Sequence, residues 1–154
     1  MEIAFGVVRL VRGATDTGLE IRKLRELWKD APRDVHHLGD ELDTYEAFSR
    51  ALRSGIAEWP QEGLGTATIG ELGRLLSRSN GNLERLQTIL QELVRGKDGS
   101  STSLCGGSGV EGMDSLPRRR KVLWLRRVDE VRKLRKMLRQ STRDIGLFLT
   151  LLNV

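Results

Sequence analysis

Apolar residues recur at alternating steps of three and four along four long stretches of this 154-residue chain. This spacing places them on one stripe of an α-helix, whereas half-buried strands would alternate in steps of two. The four stripes are Ile3, Val7, Leu10, Ala14, Thr17, Ile21, Leu24, Trp28; Val35, Leu38, Leu42, Tyr45, Leu52, Ile56; Ile69, Leu72, Leu76, Leu83, Leu86, Leu90, Leu93; and Leu125, Val128, Val131, Leu134, Leu138, Ile145, Leu149, Leu152. Each stripe can be buried only against the others. The pattern therefore predicts an all-α fold, an elongated antiparallel four-helix bundle.

Local signals set the expected ends of the helices. The predicted ranges are about 3–29, 32–57, 68–95 and 117–152. Asp30 is expected to cap the second helix, and Thr68 with Glu71 has the spacing of a capping box. Gly96 suits the left-handed position after the third helix. The segment SNGN at 79–82 is expected to kink or break that helix.

One segment differs in composition from the helical stretches. Residues 97–116 are rich in glycine and serine and predict a flexible linker inside a single domain that spans 1–154. The chain then stops within the apolar run IGLFLTLLNV, at 145–154. This ending favours the N-terminal domain, or a fragment, of a longer chain.

The sequence contains no arrangement of residues that predicts catalysis. Cys105 is the sole cysteine and has no neighbouring histidine, which argues against both a nucleophile and a disulfide. His36 and His37 point about 100° apart on a helix, and His37 with Glu41 would supply only two metal ligands. GLGTATIG, at 63–70, lacks the lysine of a phosphate loop. We therefore expect no enzyme activity, cofactor, metal or small-molecule substrate.

Positive charge is concentrated at one end of the chain. The net charge is +5, but residues 117–154 carry +9 and residues 1–116 carry −4. The basic patch comprises Arg118, Arg119, Arg120, Lys121, Arg126, Arg127, Arg132, Lys133, Arg135 and Lys136. Cations at the N-terminus of a helix oppose its macrodipole, so an anion should compensate them. The candidates are acidic side chains of the body, a lipid headgroup or another phosphate.

The first helix carries a second candidate surface, a membrane or assembly face. Its members are Ile3, Phe5, Val7, Val8, Leu10 and Val11. Core packing is the default interpretation, and membrane insertion is the alternative. Arg9 and Arg12 lie within this run, and a charge at the bilayer centre costs at least about 2.5 kcal/mol. Gly6, Gly13 and Gly18 lower helix propensity, so this helix is expected to detach most easily.

Three stretches together resemble the HeLo-like N-terminal helical domains of fungal receptor-type STAND ATPases. They are LEIRKLRELWKDAPRDVHHLGDELDTYEAFSRAL at 19–52, LERLQTILQELV at 83–94, and the basic RRRKVLWLRRVDEVRKLRKMLRQSTRDIGLFLTLL at 118–152. The resemblance implies a non-enzymatic signalling or effector bundle. In one branch of that family the first helix inserts into membrane and causes programmed cell death. The charged opening here departs from the longer charge-free run of that branch.

These observations predict a signalling, effector or adaptor bundle that acts by helix-mediated assembly. The expected partner is another protein or a second copy, with an anionic membrane surface as a further candidate. The alternative is a nuclear or nucleic-acid-binding protein that uses the basic patch, although nucleic acid is disfavoured because only Trp124 could stack. We expect a cytoplasmic location, with membrane-peripheral and nuclear locations as alternatives.

Overall fold

The computed structural model describes residues 2–59, 65–96 and 115–152, and these residues form four helices. They are α1 (Glu2–Leu27), α2 (Arg33–Ala57), α3 (Thr66–Arg95) and α4 (Ser115–Leu152). The predicted all-α four-helix bundle is confirmed, and each helix begins and ends within two residues of its expected position. The greater part of the predicted linker, 97–114, lies outside the described residues, as does Cys105.

The helices pack as two antiparallel hairpins, α1–α2 and α3–α4. The hairpins meet through α1 and α3, which run parallel, because Gly6 faces Leu76 and Gly13 faces Leu83 at the same interval along both helices. Among the described residues, the backbones of α2 and α3 do not come close to each other, and neither do those of α1 and α4. These two pairs therefore lie diagonally across the bundle. Gly6 and Gly13, seven residues apart, each face a leucine side chain of α3 at this contact.

One contiguous apolar core runs between the helices. Leu10, Leu24 and Leu86 are fully buried in it, and Trp28 meets Trp124 edge to face with ring centroids 6.5 Å apart. All four helices contribute, which explains why no single stripe suffices for stability. The prediction that Leu125 belongs to the core is wrong, because this residue is exposed. Leu123 and Trp124 are buried instead. At 100° per residue, Trp124 lies much closer than Leu125 to the inward direction of Val131.

α3 is continuous from Thr66 to Arg95, so the prediction that residues 79–82 break the helix is wrong. The Asn80 side chain donates a hydrogen bond to the Gly6 carbonyl oxygen at 3.1 Å, and Ser79, Asn80 and Asn82 are buried. These small polar residues therefore lie in the bundle interior rather than in a turn. Tertiary packing has overridden their low helix propensity.

The helix ends use backbone groups more than the predicted side-chain caps. Pro32 and Gly65 hold the N-cap positions of α2 and α3, and neither end has a side-chain cap hydrogen bond. The predicted Asp30 cap and the capping box at Thr68 are therefore wrong. Gly96, in contrast, adopts the predicted left-handed conformation at φ 67° and donates its N–H to the Leu93 carbonyl.

Candidate interaction surfaces

The predicted face of the first helix divides between the core and solvent. Val7 and Leu10 are fully buried, and Ile3 is partly buried against the core. Phe5 and Val8 point away from it, with 72% and 46% of their surfaces exposed. The six predicted residues therefore do not form one surface, because helical rotation turns adjacent positions by about 100°.

A second stripe runs along the solvent side of α1. Its members recur at steps of three and four, and together we call them the outer face of α1: Phe5, Val8, Arg12, Asp16, Leu19, Lys23 and Leu27. Phe5, Val8, Leu19 and Leu27 are all exposed. α1 is thus apolar on two opposite sides, one packed in the core and one facing water. The sequence of α1 therefore contains two apolar stripes, not the single face expected from it.

The outer face of α1 also carries charges of both signs. Neither Arg12 nor Asp16 makes an ion pair or side-chain hydrogen bond within the described chain. Lys23 contacts Glu20 at 3.6 Å on the same helix. The flanking residue Arg9 reaches across to Glu84 of α3. Two opposite charges near the middle of the outer face therefore remain available to a second molecule.

Arg120, the third basic residue of the patch, is buried and binds backbone carbonyls. Its guanidinium donates to the carbonyl oxygens of Leu93 and Val94 at 3.2 Å each and to that of Leu27 at 3.4 Å. Only 8% of the residue is exposed. These carbonyls belong to the C-terminal turns of α1 and α3, where helices leave acceptors without intrahelical partners. The anion expected to offset this charge is therefore the negative end of two helix dipoles.

Three further arginines of the basic patch pair with acidic side chains of the body. Arg127 lies 3.2 Å from Glu92, and Arg132 lies 3.1 Å from Asp34. Arg135 binds Glu41 through two hydrogen bonds of 2.8 and 2.7 Å. Such fork geometry is the strong form of a charge pair. Ion pairs within the chain, between the basic C-terminal part and the acidic body, therefore occupy a large part of the basic patch.

The remaining cations of the basic patch differ in their surroundings. Arg119 and Arg126 also interact with other residues. Arg118, Lys121, Lys133 and Lys136 are exposed and make no ion pair or side-chain hydrogen bond with any described residue. These four are the cations that an external anion would meet first.

α2 and α4 are the most loosely packed neighbours, and a cavity of about 420 Å³ lies between them. We call it the α2–α4 cavity. Its apolar lining is Leu38, Leu42, Tyr45, Phe48 and Leu138, and its polar lining is Asp40, Glu41, Thr44, Arg135, Arg139, Thr142 and Arg143. Pockets of this size, apolar with a few polar groups, are typical of small-molecule sites. No sequence motif indicated it, since it arises from the spacing of two helices.

The electrostatics of the α2–α4 cavity are uneven along its length. Glu41 accepts hydrogen bonds from both Arg135 and Arg139. Arg143 has no ion pair or side-chain hydrogen bond to a described residue. The Tyr45 hydroxyl is buried without a hydrogen bond of good geometry, and burial raises its pKa to about 12 although the nearby Ser79 side chain opposes this. Tyr45 is therefore a protonated potential donor at neutral pH.

The candidates for metal and membrane chemistry can also be placed. The described residues contain no group of three or more potential metal ligands. His36 accepts a hydrogen bond from Arg25 at 3.3 Å, and the Glu41 carboxylate accepts hydrogen bonds from arginines. None of the described helices is both long and apolar enough to cross a membrane.

No protein-family model, curated protein or solved structure matches this chain.

Proposed function

We propose that this protein is a non-enzymatic signalling or adaptor bundle that assembles through the outer face of α1, in the cytoplasm. The observation that carries the proposal is the row of exposed apolar side chains opposite the core stripe of the same helix. Phe5 and Leu27 lie near its two ends, 72% and 54% exposed. An unpartnered apolar stripe on a helix is the form of surface that pairs with another helix.

A second copy of the chain suits this face because its charges are self-complementary. In an antiparallel pair whose two-fold axis crosses α1 near Ala14, Arg12 of one copy lies opposite Asp16 of the other. Val8 of one copy then lies beside Leu19 of the other. Both Arg12 and Asp16 lack a described partner in the single chain. A two-fold interface repeats each such contact twice, so modest contacts add up.

The test is sedimentation equilibrium of the wild type beside the double variant Phe5→Ser, Val8→Ser. We expect a concentration-dependent dimer for the wild type and a monomer for the variant. The matched control is Val122→Ser, Leu125→Ser, which removes two equally exposed apolar residues from α4 and should leave the dimer intact. Substituting Val7 and Leu10 would be uninformative, because both are core residues. A wild type that remains monomeric, or a control as disruptive as the variant, would overturn the proposal.

A peripheral membrane role is a second candidate, supported by the four exposed cations of α4 that have no described partner. Each basic residue near an anionic leaflet contributes about 1 kcal/mol of attraction. Co-sedimentation with vesicles rich in phosphatidylserine, beside neutral phosphatidylcholine vesicles, tests this role. We expect binding only to the anionic vesicles, weakened when Arg118, Lys121, Lys133 and Lys136 become Gln. Equal binding to both vesicles, or no effect of the substitutions, would count against it.

The nucleic-acid alternative draws on the same basic patch. Four of its arginines, at 120, 127, 132 and 135, bind groups within the chain. Breaking these pairs would subtract from any gain through phosphate contacts. No contact among the described residues favours nucleic acid over self-association.

A further inference from the structure

We infer that the α2–α4 cavity binds a small anionic amphiphile, with its apolar chain between the two helices and its anionic head at Arg143. This inference concerns a site on α2 and α4 and goes beyond the assembly proposed for α1. It rests on two independent features of the cavity: its apolar floor and a cation at the rim without a partner among the described residues.

The shape of the cavity follows from the way the two helices pair. α2 and α4 run parallel, since Arg132 meets Asp34 and Arg139 meets Glu41 at equal intervals. These ion pairs hold α2 and α4 together, because few residues of the two helices pack directly against each other. The lining from Leu38 to Phe48 spans about 15 Å along α2, at 1.5 Å per residue. An elongated apolar chain fits such a groove better than a compact ring system does.

The charges around the cavity select an anion. Arg135 and Arg139 already neutralise Glu41, and Asp40 contacts Arg25 at 3.5 Å. This leaves Arg143 as a lining cation with no described partner. A guanidinium binds a carboxylate or a phosphate through two parallel hydrogen bonds. The chemistry shared by both heads is an oxyanion on an alkyl chain.

Tyr45 lines the cavity, but its hydroxyl is buried near the Ser79 side chain of α3 and is closed to a ligand. The apolar lining and Arg143 therefore supply the contacts to the ligand.

The experiment is isothermal titration calorimetry with decanoate, decyl phosphate and the uncharged 1-decanol. We expect both anions to bind with one-to-one stoichiometry and 1-decanol to bind more weakly. Arg143→Gln should weaken the binding of the anions about threefold, as expected for one exposed charge pair, without changing that of 1-decanol. The matched control Arg78→Gln removes an exposed cation from α3, outside the cavity, and should have no effect. The relative affinity of the two anions distinguishes a fatty-acid source from a phospholipid or alkyl phosphate source.

A second variant tests the apolar part of the site. Thr142→Trp fills the cavity from the α4 side and should abolish binding of the anions, while circular dichroism checks that the helices are retained. Binding of 1-decanol as tight as that of decanoate would overturn the inference, as would unchanged binding in Arg143→Gln or no binding of either anion. The titration is repeated with Phe5→Ser, Val8→Ser, so loss of self-association and loss of ligand binding are read separately.

Discussion

The Nε atom of Arg120 lies 3.2 Å from the carbonyl oxygen of Leu93, so a residue at the start of α4 caps the end of α3. The same guanidinium reaches the last turn of α1 through the carbonyl of Leu27. This is possible because α1 and α3 run parallel and end together, where the antiparallel α4 begins. One buried cation thus stabilises the ends of two helices and fixes the position of the fourth.

The Arg120→Ala substitution should reduce the free energy of unfolding by about 1–3 kcal/mol, because the carbonyl oxygens of Leu27, Leu93 and Val94 lose a charged donor. Lys121→Ala, at an exposed neighbouring position without a described partner, should change it by less than about 0.5 kcal/mol. Urea unfolding followed by circular dichroism measures both. Equal effects of the two substitutions would show that Arg120 does not act as a shared cap.

Tyr45 should make the fold less stable at high pH. Its pKa is raised from 10 to about 12 in the folded chain, chiefly by burial, so the unfolded chain loses the proton first. The contribution is therefore complete below pH 10 and is lost as pH rises towards 12, up to about 3 kcal/mol in all. Because the chain has a single tyrosine, its absorbance titration reports this group alone.

The matched variant for the alkaline effect is Tyr45→Phe, which cannot ionise. The difference in free energy of unfolding between wild type and variant should change between pH 10 and 12 and be constant at lower pH. Lysine titration affects both proteins alike and cancels in the comparison. A Tyr45 that titrates in the folded chain as it does in urea would contradict its burial.

Two buried or half-buried glycines should respond differently to alanine. A Cβ at Gly13 would lie 3.6 Å from Leu83, an ordinary contact, so Gly13→Ala should stabilise the fold by about 0.5–1 kcal/mol through helix propensity. A Cβ at Gly39 would lie 2.7 Å from the Arg25 guanidinium and would displace it from His36. Gly39→Ala should therefore stabilise the fold less than Gly13→Ala does. Thermal unfolding of both variants decides, and a larger gain at Gly39 would contradict the contact geometry.

Much of the fold could be predicted because the apolar spacing of a helix repeats many times along a long segment, so a few exceptions do not hide it. Helix ranges, most core residues of α1 to α3 and the role of Gly96 could be predicted, although the fully buried Ile89 was not in the predicted stripe of α3. The caps at Asp30 and Thr68 could not, since backbone bonds served instead of side chains. Asn80 was misjudged because its hydrogen bond to Gly6 joins residues distant in sequence, which local propensity does not contain.

The candidate surfaces were less accessible to sequence reasoning. Apolar residues of α1 were assigned to one face, although Phe5 and Val8 belong to the side opposite Val7 and Leu10. The basic patch was identified as a set of cations, but the carbonyl partners of Arg120 depend on where two other helices end. The α2–α4 cavity depends on an interhelical distance, and no residue pattern encodes that directly.

Disulfide trapping tests the assembly through the outer face of α1 most directly. In a Cys105→Ser background, chains carrying Val8→Cys are mixed with chains carrying Leu19→Cys and oxidised. The proposed antiparallel register predicts that mixed Val8–Leu19 dimers clearly exceed twice the amount of either homodimer, which is the ratio that random pairing of equal amounts gives, while Arg53→Cys on exposed α2 gives only background cross-linking. Absence of mixed dimers, or equal trapping through position 53, would contradict the proposal that α1 pairs with a second copy.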